Sequence, residues 1–536
     1  MPATTEADEA VWGTFGCDRT VLAIARTLTS AVRLLETLDL FRGDFRVRVV
    51  FTVNDTTRFA TGVEALLRTA GVHDIVPWSR IPDLHYDLAV SASENIDFDA
   101  VTGPVVVLPH GIGFNKYVPG NGGTGLRLAG LPPEDALRTG RVRVVLSHPD
   151  QDAQLRAACP HVAGHTVVTG DATCDRLLAS GSLRARYREL LGTGDRRLVM
   201  ISSTWGRESL IGRERTLPRR LLAELPADDY QVALALHPNV WARYGAAQIR
   251  VWLADALDAG LLLCPPHHSW HAVLVAANQV IADHGSMGLH AAALDKPLLL
   301  TAADSETVPG TPIAELAAAA DRLDPDADLR DQLDRNFATH TSGRFEPIAR
   351  RVFAHRGEAI QRLRAELYDQ LRLAPPGGEP GLPRVPDPAP ERRQVTAFRV
   401  AGESGDGEVR LTRYPAAARP APEDRHLVVE EAETNLRLAE RAAVLARSRV
   451  TGDAKAWEWT EDALRASPGA RLAVAATAGG AVLLLRGGGR FVLTADADAT
   501  ILGSAAYVLF LAGRLRPGTA GVRTTGDAVP VTITNP

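Results

Sequence analysis

Two histidines stand where an apolar run of the chain turns polar. His110 lies in PHGIGFNK (109–116), directly after the run VVVL, and His237 lies in LHPN (236–239), after a second apolar run. If both runs are buried strands, each histidine is at the carboxyl end of its strand, where open α/β sheets bind ligands. A histidine in that position can act as a general base near neutral pH. The alternative is a histidine that only completes the hydrogen bonding of a strand end.

The stretch QVIADHGSMGLHAAALDKPLLL (279–300) predicts an anion site. It indicates a buried strand over 280–282, a polar turn, a helix over 287–294 and a second apolar strand. In the turn, Asp283 is polar, Gly285 gives the backbone freedom, and Ser286 can cap the helix while its N–H groups stay free. A helix N-terminus at the carboxyl edge of a parallel sheet attracts anions. Most units of this kind bind nothing, so the pattern needs support from elsewhere.

Two further turns carry residues suited to phosphate. In ISSTWGRES (201–209), Ser203, Thr204 and Arg207 follow an apolar run, and their side chains and backbone amides suit phosphate contacts. The alternative is a serine/threonine turn beside a solvated arginine. In PHGIGFNK (109–116), Asn115 and Lys116 are expected to reach an anionic group.

Several common kinds of site are disfavoured. Cys264, His267 and His271 lie close in sequence, but the helix is expected to begin only at Trp270, and no acidic partner follows at zincin spacing, so we predict no metal site. No lysine of the chain follows a glycine, which excludes a Walker A loop. GNGGTG (120–125) matches the dinucleotide fingerprint, yet no strand precedes it, so hydride transfer is not expected.

Composition sets the class of protein. A chain of 536 residues suggests two or three domains. The net charge of −5 gives no basis for binding nucleic acid. The four cysteines have no paired spacing, the acidic N-terminus does not resemble a signal peptide, and no apolar run has transmembrane length. We therefore expect a soluble, cytoplasmic protein without a transmembrane segment.

The elements that position these residues form two successive α/β series. Apolar runs separated by helical patterns favour parallel sheets covered on both faces. We predict a first series with strands at 11–16, 46–53, 87–93, 105–111 and 143–149 and helices over 18–40 and 60–70. The second series has strands ending near 170, 206, 239 and 266, and a helix over 345–372 that crosses back.

The predicted organisation has four parts. Two Rossmann-like domains cover 10–165 and 166–372, a Pro/Gly-rich linker covers 373–396, and an α+β accessory domain covers 397–536. In the last part we expect a helix near 425–448, a second helix over 457–467, a strand pair or meander over 471–495 and a buried helix over 504–515. No catalytic constellation is present there, so a module for binding a protein partner or for homo-oligomerisation is expected.

Three short motifs resemble the GT-B superfamily. The closest patterns are those of the CDP-glycerol glycerophosphotransferases of the teichoic-acid type and of the UDP-N-acetylglucosamine 2-epimerases. The His-Gly turn with a following lysine is similar to that of the former family, and the His-Pro turn is similar to both. The strand–Asp-x-x-Ser–helix stretch with a following Lys-Pro is the third motif, although His284 and Gly285 stand where the transferases have Tyr and Ser. Glu306 falls near the Arg-Pro-Glu phrase of the epimerases.

The resemblance implies a GT-B-like fold with two Rossmann-like domains facing each other across a cleft, followed by the smaller domain. It implies a nucleotide site on the second domain, an acceptor site on the first, His110 as base, and no required metal or cofactor. The expected function is transfer of a glycerophosphate or sugar group from a nucleotide-activated donor to an acceptor hydroxyl; the alternatives are a nucleotide-sugar epimerase or hydrolase, and a non-catalytic protein that binds a nucleotide or a protein partner. The expected site residues are His110 and His237 (catalytic), Ser203, Thr204, Arg207, Asp283, Gly285, Ser286 and Glu306 (nucleotide), and Gly111, Asn115 and Lys116 (acceptor).

Overall fold

The computed structural model describes residues 15–57, 59–119, 126–266, 270–301, 307–418 and 426–536. Four parts of the sequence predictions lie outside these residues. They are most of the predicted first strand (11–14), the glycine-rich match at 120–125, His267, and Glu306.

The first sheet is parallel and has seven strands in the order β3-β2-β1-β4-β5-β8-β9. Its central strand, RTVLAIA, is buried over its last five residues, as expected for a strand covered by helices on both faces. A short antiparallel hairpin is inserted after the fifth strand. The elements in chain order are β1 (Arg19–Ala25), α1 (Leu28–Leu38), β2 (Val47–Val53), α2 (Val63–Thr69), β3 (Ile75–Val76), β4 (Leu88–Ser91), β5 (Val105–Val107), β6 (Tyr117–Pro119), β7 (Leu126–Leu128), α3 (Glu134–Arg138), β8 (Val142–Leu146), α4 (Pro149–Ala158) and β9 (Thr166–Val168).

The second sheet is also parallel, with six strands in the order β12-β11-β10-β13-β14-β15. Its central strands are apolar and buried along their length. The elements are α5 (Ala172–Ala179), α6 (Arg184–Leu190), β10 (Arg197–Ser203), α7 (Leu210–Arg213), α8 (Leu217–Glu224), β11 (Tyr230–Leu236), α9 (Pro238–Trp252), α10 (Ala254–Asp258), β12 (Leu262–Cys264), α11 (Trp270–Ala276), β13 (Gln279–Ala282), α12 (Ser286–Ala293), β14 (Leu298–Leu300), α13 (Pro312–Ala319), β15 (Asp321–Arg322), α14 (Leu329–Thr339), α15 (Glu346–Arg350) and α16 (Ala359–Gln370).

Two predictions about the first sheet are wrong. The helix predicted over 18–40 is strand β1 followed by helix α1, because a continuous apolar run fits a buried strand as well as a buried helix. Thr27 marks the true helix start: its hydroxyl accepts a hydrogen bond from the Ser30 N–H, and the two residues form a capping box. In addition, β9 pairs with β8 in the first sheet, so the boundary expected after residue 165 falls inside that sheet.

The closing helix crosses back to the first half, as predicted, but as two helices rather than one. α15 and α16 are separated by a turn in which His355 has a φ of +51°. In α16, Tyr368 packs its ring 5.8 Å from that of Phe41 and donates a hydrogen bond to the Asp44 carboxylate at 2.8 Å. The chain therefore returns from the second half to bind the first.

In the described residues of the C-terminal part, 397–418 and 426–536, the chain forms a closed nine-stranded barrel with three helices. The helix predicted near 425–448 is wrong: this stretch is strand β18, the short helix α17 and strand β19, because its apolar residues occur as two short blocks. The other predicted elements there are present. In order they are β16 (Ala397–Gly405), β17 (Glu408–Pro415), β18 (His426–Glu430), α17 (Leu436–Glu440), β19 (Val444–Arg447), α18 (Asp453–Ala466), β20 (Leu472–Thr477), β21 (Gly480–Leu485), β22 (Arg490–Thr494), α19 (Ala499–Leu511), β23 (Gly518–Arg523) and β24 (Val529–Thr534).

The proline-rich segment between the second sheet and the barrel lies bound along the second half. The Tyr187 hydroxyl donates to the Val385 carbonyl at 2.5 Å, Arg186 forms an ion pair with Asp387 at 2.5 Å, and Glu391 forms a β-bridge with Leu263. The barrel contacts the same half through Arg413 of β17, which pairs with Asp228.

The prediction of two Rossmann-like domains facing each other, followed by a smaller α+β domain, is confirmed. No helix in the described ranges is long and apolar enough to cross a membrane.

Candidate functional site

The loop that carries His110 is seated on the second half of the molecule. The Ile112 N–H donates a hydrogen bond to the Ser286 Oγ at 3.0 Å. The Asn115 carbonyl accepts a hydrogen bond from the Val308 N–H at 3.0 Å, and Lys116 forms a β-bridge with Thr307. The predicted acceptor loop of the first half and the predicted anion-binding turn of the second half therefore meet directly.

This seat requires a glycine at position 111. A Cβ atom there would lie 2.9 Å from the Ser286 Oγ, inside the distance that two such atoms tolerate. Gly111 therefore permits the backbone of this loop to lie close to the Ser286 side chain. His110, its neighbour, is exposed.

His237 is held in one tautomer by the start of α9. It is the N-cap residue, and its Nδ1 accepts a hydrogen bond from the Asn239 N–H at 3.1 Å. Burial lowers the pKa of His237 to about 3, and the positive charges of His110 and Lys116 lower it further in the same direction. The imidazole is therefore neutral at pH 7 and carries its proton on Nε2. The charge of His110, in the opposite half, therefore acts on His237.

The N-terminus of α12 lies beside the loop of His110. Gly285 is the N-cap and makes no side-chain cap, so Ser286 is the first helical residue rather than the cap. Its hydroxyl is used by Ile112, whereas the N–H groups of Ser286 and Met287 have no protein acceptor among the residues that the structure describes. Two free amides at the start of an eight-residue helix are a site for an anion.

The Asp283 carboxylate is buried and is used for hydrogen bonds to protein groups of the neighbouring turns. Its Oδ2 accepts hydrogen bonds from the Thr204 N–H and Oγ1 at 2.8 Å each and from the Leu210 N–H at 3.0 Å, and its Oδ1 accepts one from the Gly285 N–H at 3.2 Å. Ser203 is also bonded within the protein, because its Oγ accepts a hydrogen bond from the Ile211 N–H. These three side chains therefore hold the loop after β10, and their nucleotide contacts stay predictions.

That loop exposes two other residues to the cleft. Arg207 lies at its exposed tip. Trp205, which the sequence analysis passed over, is 45% exposed and stands between the two halves. Its ring lies 5.1 Å from that of Phe59 in the first half and 6.4 Å from that of His237. A tryptophan directly after a serine/threonine turn is the signal that could have identified it.

A second group that sequence reasoning missed lies at the carboxyl edge of the first sheet. Arg26 follows β1 and Glu94 follows β4, and these neighbouring strands flank the point where the strand order reverses. Glu94 is 6% exposed, forms an ion pair with Arg127 at 3.7 Å and accepts the Gly130 N–H at 3.1 Å. Burial lowers the pKa of Arg26, and the charge of Glu94 opposes that shift. The sequence signal that could have identified this group is an arginine, Arg26, directly after a buried strand.

Lys296 of the Lys-Pro motif is structural. Its Nζ donates to the carbonyl oxygens of Val275 and Ala277, at 3.0 and 2.8 Å, at the C-terminus of α11. Burial lowers its pKa to about 7, and the charges of Arg184 and Arg188 act in the same direction. Within the described parts of the chain, no group of three or more His, Cys, Asp or Glu residues is arranged to hold a metal ion.

Comparison with known proteins finds similarity only among solved structures, since neither a family model nor a curated protein matches. The chain is similar to a variant of the wall teichoic acid polymerase TagF, with 10% identity over 66% of this chain and 89% of that chain and a TM-score of 0.43. It is similar to a putative UDP-N-acetylglucosamine 2-epimerase from Listeria monocytogenes (15% identity, 67% and 99% coverage, TM-score 0.45). It is also similar to MnaA of S. aureus, solved with UDP (14%, 68% and 100%, 0.42). These likenesses concern the fold alone, so function has to come from the residues of this chain.

Proposed function

We propose that this protein is a GT-B-like transferase that moves a glycerophosphate or sugar group from a nucleotide-activated donor to an acceptor hydroxyl. One observation carries the proposal: the loop of His110 in the first half is hydrogen-bonded through the Ile112 N–H to the Ser286 Oγ at the start of α12 in the second half, at 3.0 Å. Convergent polar groups from two domains are typical of a ligand site.

The donor phosphates are assigned to the second half. The free amides of Ser286 and Met287 and the Nε2–H of His237 are hydrogen-bond donors fixed before a ligand arrives. Fixed donors stabilise negative charge as it develops on a departing nucleotide phosphate. Trp205 offers a flat apolar surface beside them. In this proposal neither a metal ion nor a cofactor is required, because the nucleotide-linked donor is itself the activated substrate.

The base is assigned to His110 rather than His237. The Nδ1 lone pair of His237 is used by Asn239, and its Nε2 carries the proton, so His237 can donate but cannot readily accept a proton. His110 is exposed beside it. The acceptor oxygen attacks the transferred phosphorus or sugar carbon, its proton passes to His110, and the bond to the nucleotide phosphate breaks. Arg26 and Arg127 mark the acceptor side as suited to an anionic acceptor.

A second candidate function is nucleotide binding without catalysis. The observation that favours it is that Ser203, Thr204 and Asp283 are already bonded to protein, so fewer side chains remain for a ligand. Hydrolysis or epimerisation of a nucleotide sugar uses the same cleft but needs no acceptor. The three readings therefore differ in turnover and in its dependence on an acceptor.

The test starts with binding. Calorimetry with CDP-glycerol, UDP-N-acetylglucosamine, and GDP- and ADP-linked sugars is run on the wild type, on the double variant Ser286→Ala/His237→Ala and on His73→Ala as a surface control. One donor should bind, and the double variant should lose at least tenfold in affinity. Turnover should then need an acceptor and should fall at least a hundredfold in His110→Ala. Binding without turnover supports the second candidate, and no binding of any donor refutes both.

A further inference from the structure

The C-terminal barrel contains a cavity that the proposed transfer reaction does not use. Its volume is about 600 Å³, in the range typical of small-molecule sites. It is bounded by strands β16 and β18, the turn before β19 and the last turns of α19. Its lining includes His426, Leu427, Arg441, Tyr507, Val508 and Ala512.

The charge of this lining is positive. Arg441 is exposed at the cavity and has no ion pair among the described residues. None of the lining residues is acidic. A cation would therefore meet only repulsion in this cavity, whereas an anion would gain a charge-assisted hydrogen bond from Arg441.

The cavity also has an aromatic wall with an unused hydrogen-bonding atom. The rings of His426 and Tyr507 lie 4.8 Å apart at 55°, which forms an aromatic corner. The His426 Nε2 is buried and has no hydrogen-bond partner in the described part of the chain. Burial lowers the pKa of His426 to about 4, so the ring is neutral at pH 7. Leu427 and Val508 provide apolar surface beside it.

We propose that the barrel cavity binds a small organic anion, whose aromatic or heteroaromatic ring packs against Tyr507 and His426 and whose phosphate or carboxylate pairs with Arg441. Rings on this wall gain apolar burial and edge-to-face contact. The unused Nε2 of His426 supplies one further polar contact. The site is separate from the cleft between the two sheets and does not depend on the reaction assigned to that cleft.

The test uses 4-bromophenyl phosphate, which joins a flat ring to a phosphate and carries a heavy atom. Calorimetry on the full chain should show binding, with inorganic phosphate and 4-bromophenol each at least tenfold weaker. Arg441→Gln should weaken binding at least tenfold, because the charge pair is lost. Arg437→Gln, a matched exposed arginine on α17, should leave it unchanged. In crystals, the anomalous signal of bromine should lie in the cavity.

A second variant keeps the test decisive. Ala512 lines the cavity and is exposed at the end of α19, so Ala512→Trp fills the space without burying new polar groups and should abolish binding. Absence of binding to wild type, or binding that survives both Arg441→Gln and Ala512→Trp, would overturn the proposal. Loss of binding in Ser286→Ala/His237→Ala would also overturn it, because it would place the probe in the cleft.

Discussion

Gly285 is the residue on which the shape of the predicted nucleotide site depends. A Cβ atom at this position would lie 2.7 Å from the Thr204 Cγ2. Gly285→Ala should therefore displace the loop after β10, reduce the free energy of unfolding by about 1–3 kcal/mol and weaken donor binding. Urea unfolding followed by circular dichroism, together with donor titration, measures both effects.

A second substitution separates the steric cause from others. Thr204→Ser removes the methyl group in question and keeps the hydroxyl that donates to Asp283. The double variant Gly285→Ala/Thr204→Ser should recover most of the lost stability. Gly181→Ala is the control, because its Cβ would meet nothing within 4 Å. If the double variant is as unstable as Gly285→Ala, the steric explanation is wrong.

Lys296 makes stability depend on pH in a definite direction. Burial lowers its folded-state pKa to about 7, whereas the unfolded value is near 10.5. Between these values the unfolded chain binds more protons than the folded chain, so the free energy of unfolding should rise with pH, by at most about 1.4 kcal/mol per unit. Lys296→Met should remove this rise, as measured by urea unfolding at pH 7, 8 and 9.

The matched control for this prediction is another of the three lysines of the chain. Lys455 is exposed on α18, so Lys455→Met should keep the slope of the wild type. Loss of the two hydrogen bonds of Lys296 shifts the whole curve of Lys296→Met and does not affect its slope. Parallel curves for Lys296→Met and wild type would show that Lys296 is not the group that titrates.

At the residue scale, the sequence indicated positions better than roles. Ser203, Thr204 and Asp283 were correctly placed at strand ends, yet Ser203 is bonded to the Ile211 N–H of its own loop, and Thr204 is bonded to Asp283, 79 residues away. No local pattern reveals such a partner, so their use inside the protein could not be predicted. The roles assigned to His110, His237 and Ser286 stay predictions that the binding and turnover experiments test.

Helix α19 packs closely against strands of the barrel. It approaches strands β19 and β20 through Gly503, where a Cβ atom would lie 2.6 Å from the Val474 Cγ1 and 2.8 Å from the Val444 Cγ1. Gly→Ala in a helix ordinarily gains about 1 kcal/mol. Overpacking costs about 1–3 kcal/mol, so Gly503→Ala should be destabilising overall. Thermal unfolding monitored by the fluorescence of Trp457 and Trp459 on α18 should show a lower midpoint.

Backbone strain destabilises in the same direction as overpacking and has to be separated from it. Exposed Gly513, just beyond α19, has a φ of +66° and no nearby atoms, so Gly513→Ala tests backbone strain without contact. Val474→Ala in the Gly503→Ala background should relieve the closer contact and make the second change less harmful than it is alone. Equal effects of Val474→Ala in both backgrounds would contradict the packing argument.

At the element scale, the second sheet was the most predictable part and the barrel the least. Strands β10 to β14 were found because each apolar run ends in a distinct polar turn. β1 was taken for a helix because the run TVLAIA has no alternation that distinguishes strand from helix. Closure of the barrel depends on pairing β17 with β23, more than a hundred residues apart, which no local signal specifies.

At the scale of the whole molecule, the two halves are joined by several hydrogen bonds and ion pairs, which we call ties. At the cleft, Ile112 contacts Ser286. Near the crossover between the halves, Asp171 joins Arg33 of α1 to His290 of α12 at 3.2 and 3.3 Å. The return of α16 forms the third tie. Two segments, near 170–175 and 354–359, connect the halves, and they are bonded to each other through Asp175.

Asp175 fastens these two connecting segments to each other. Its carboxylate accepts hydrogen bonds from the Gly357 N–H at 2.7 Å and the Ala359 N–H at 2.9 Å, and it is buried. Asp175→Asn keeps the shape but turns one acceptor into a donor, so one of the two amides should lose its partner and exchange its hydrogen roughly tenfold faster or more. Hydrogen exchange read by mass spectrometry over 354–360 measures this, with the exposed Asp326→Asn as control. Unchanged exchange over 354–360 would show that the two segments are held by their packing and not by this carboxylate.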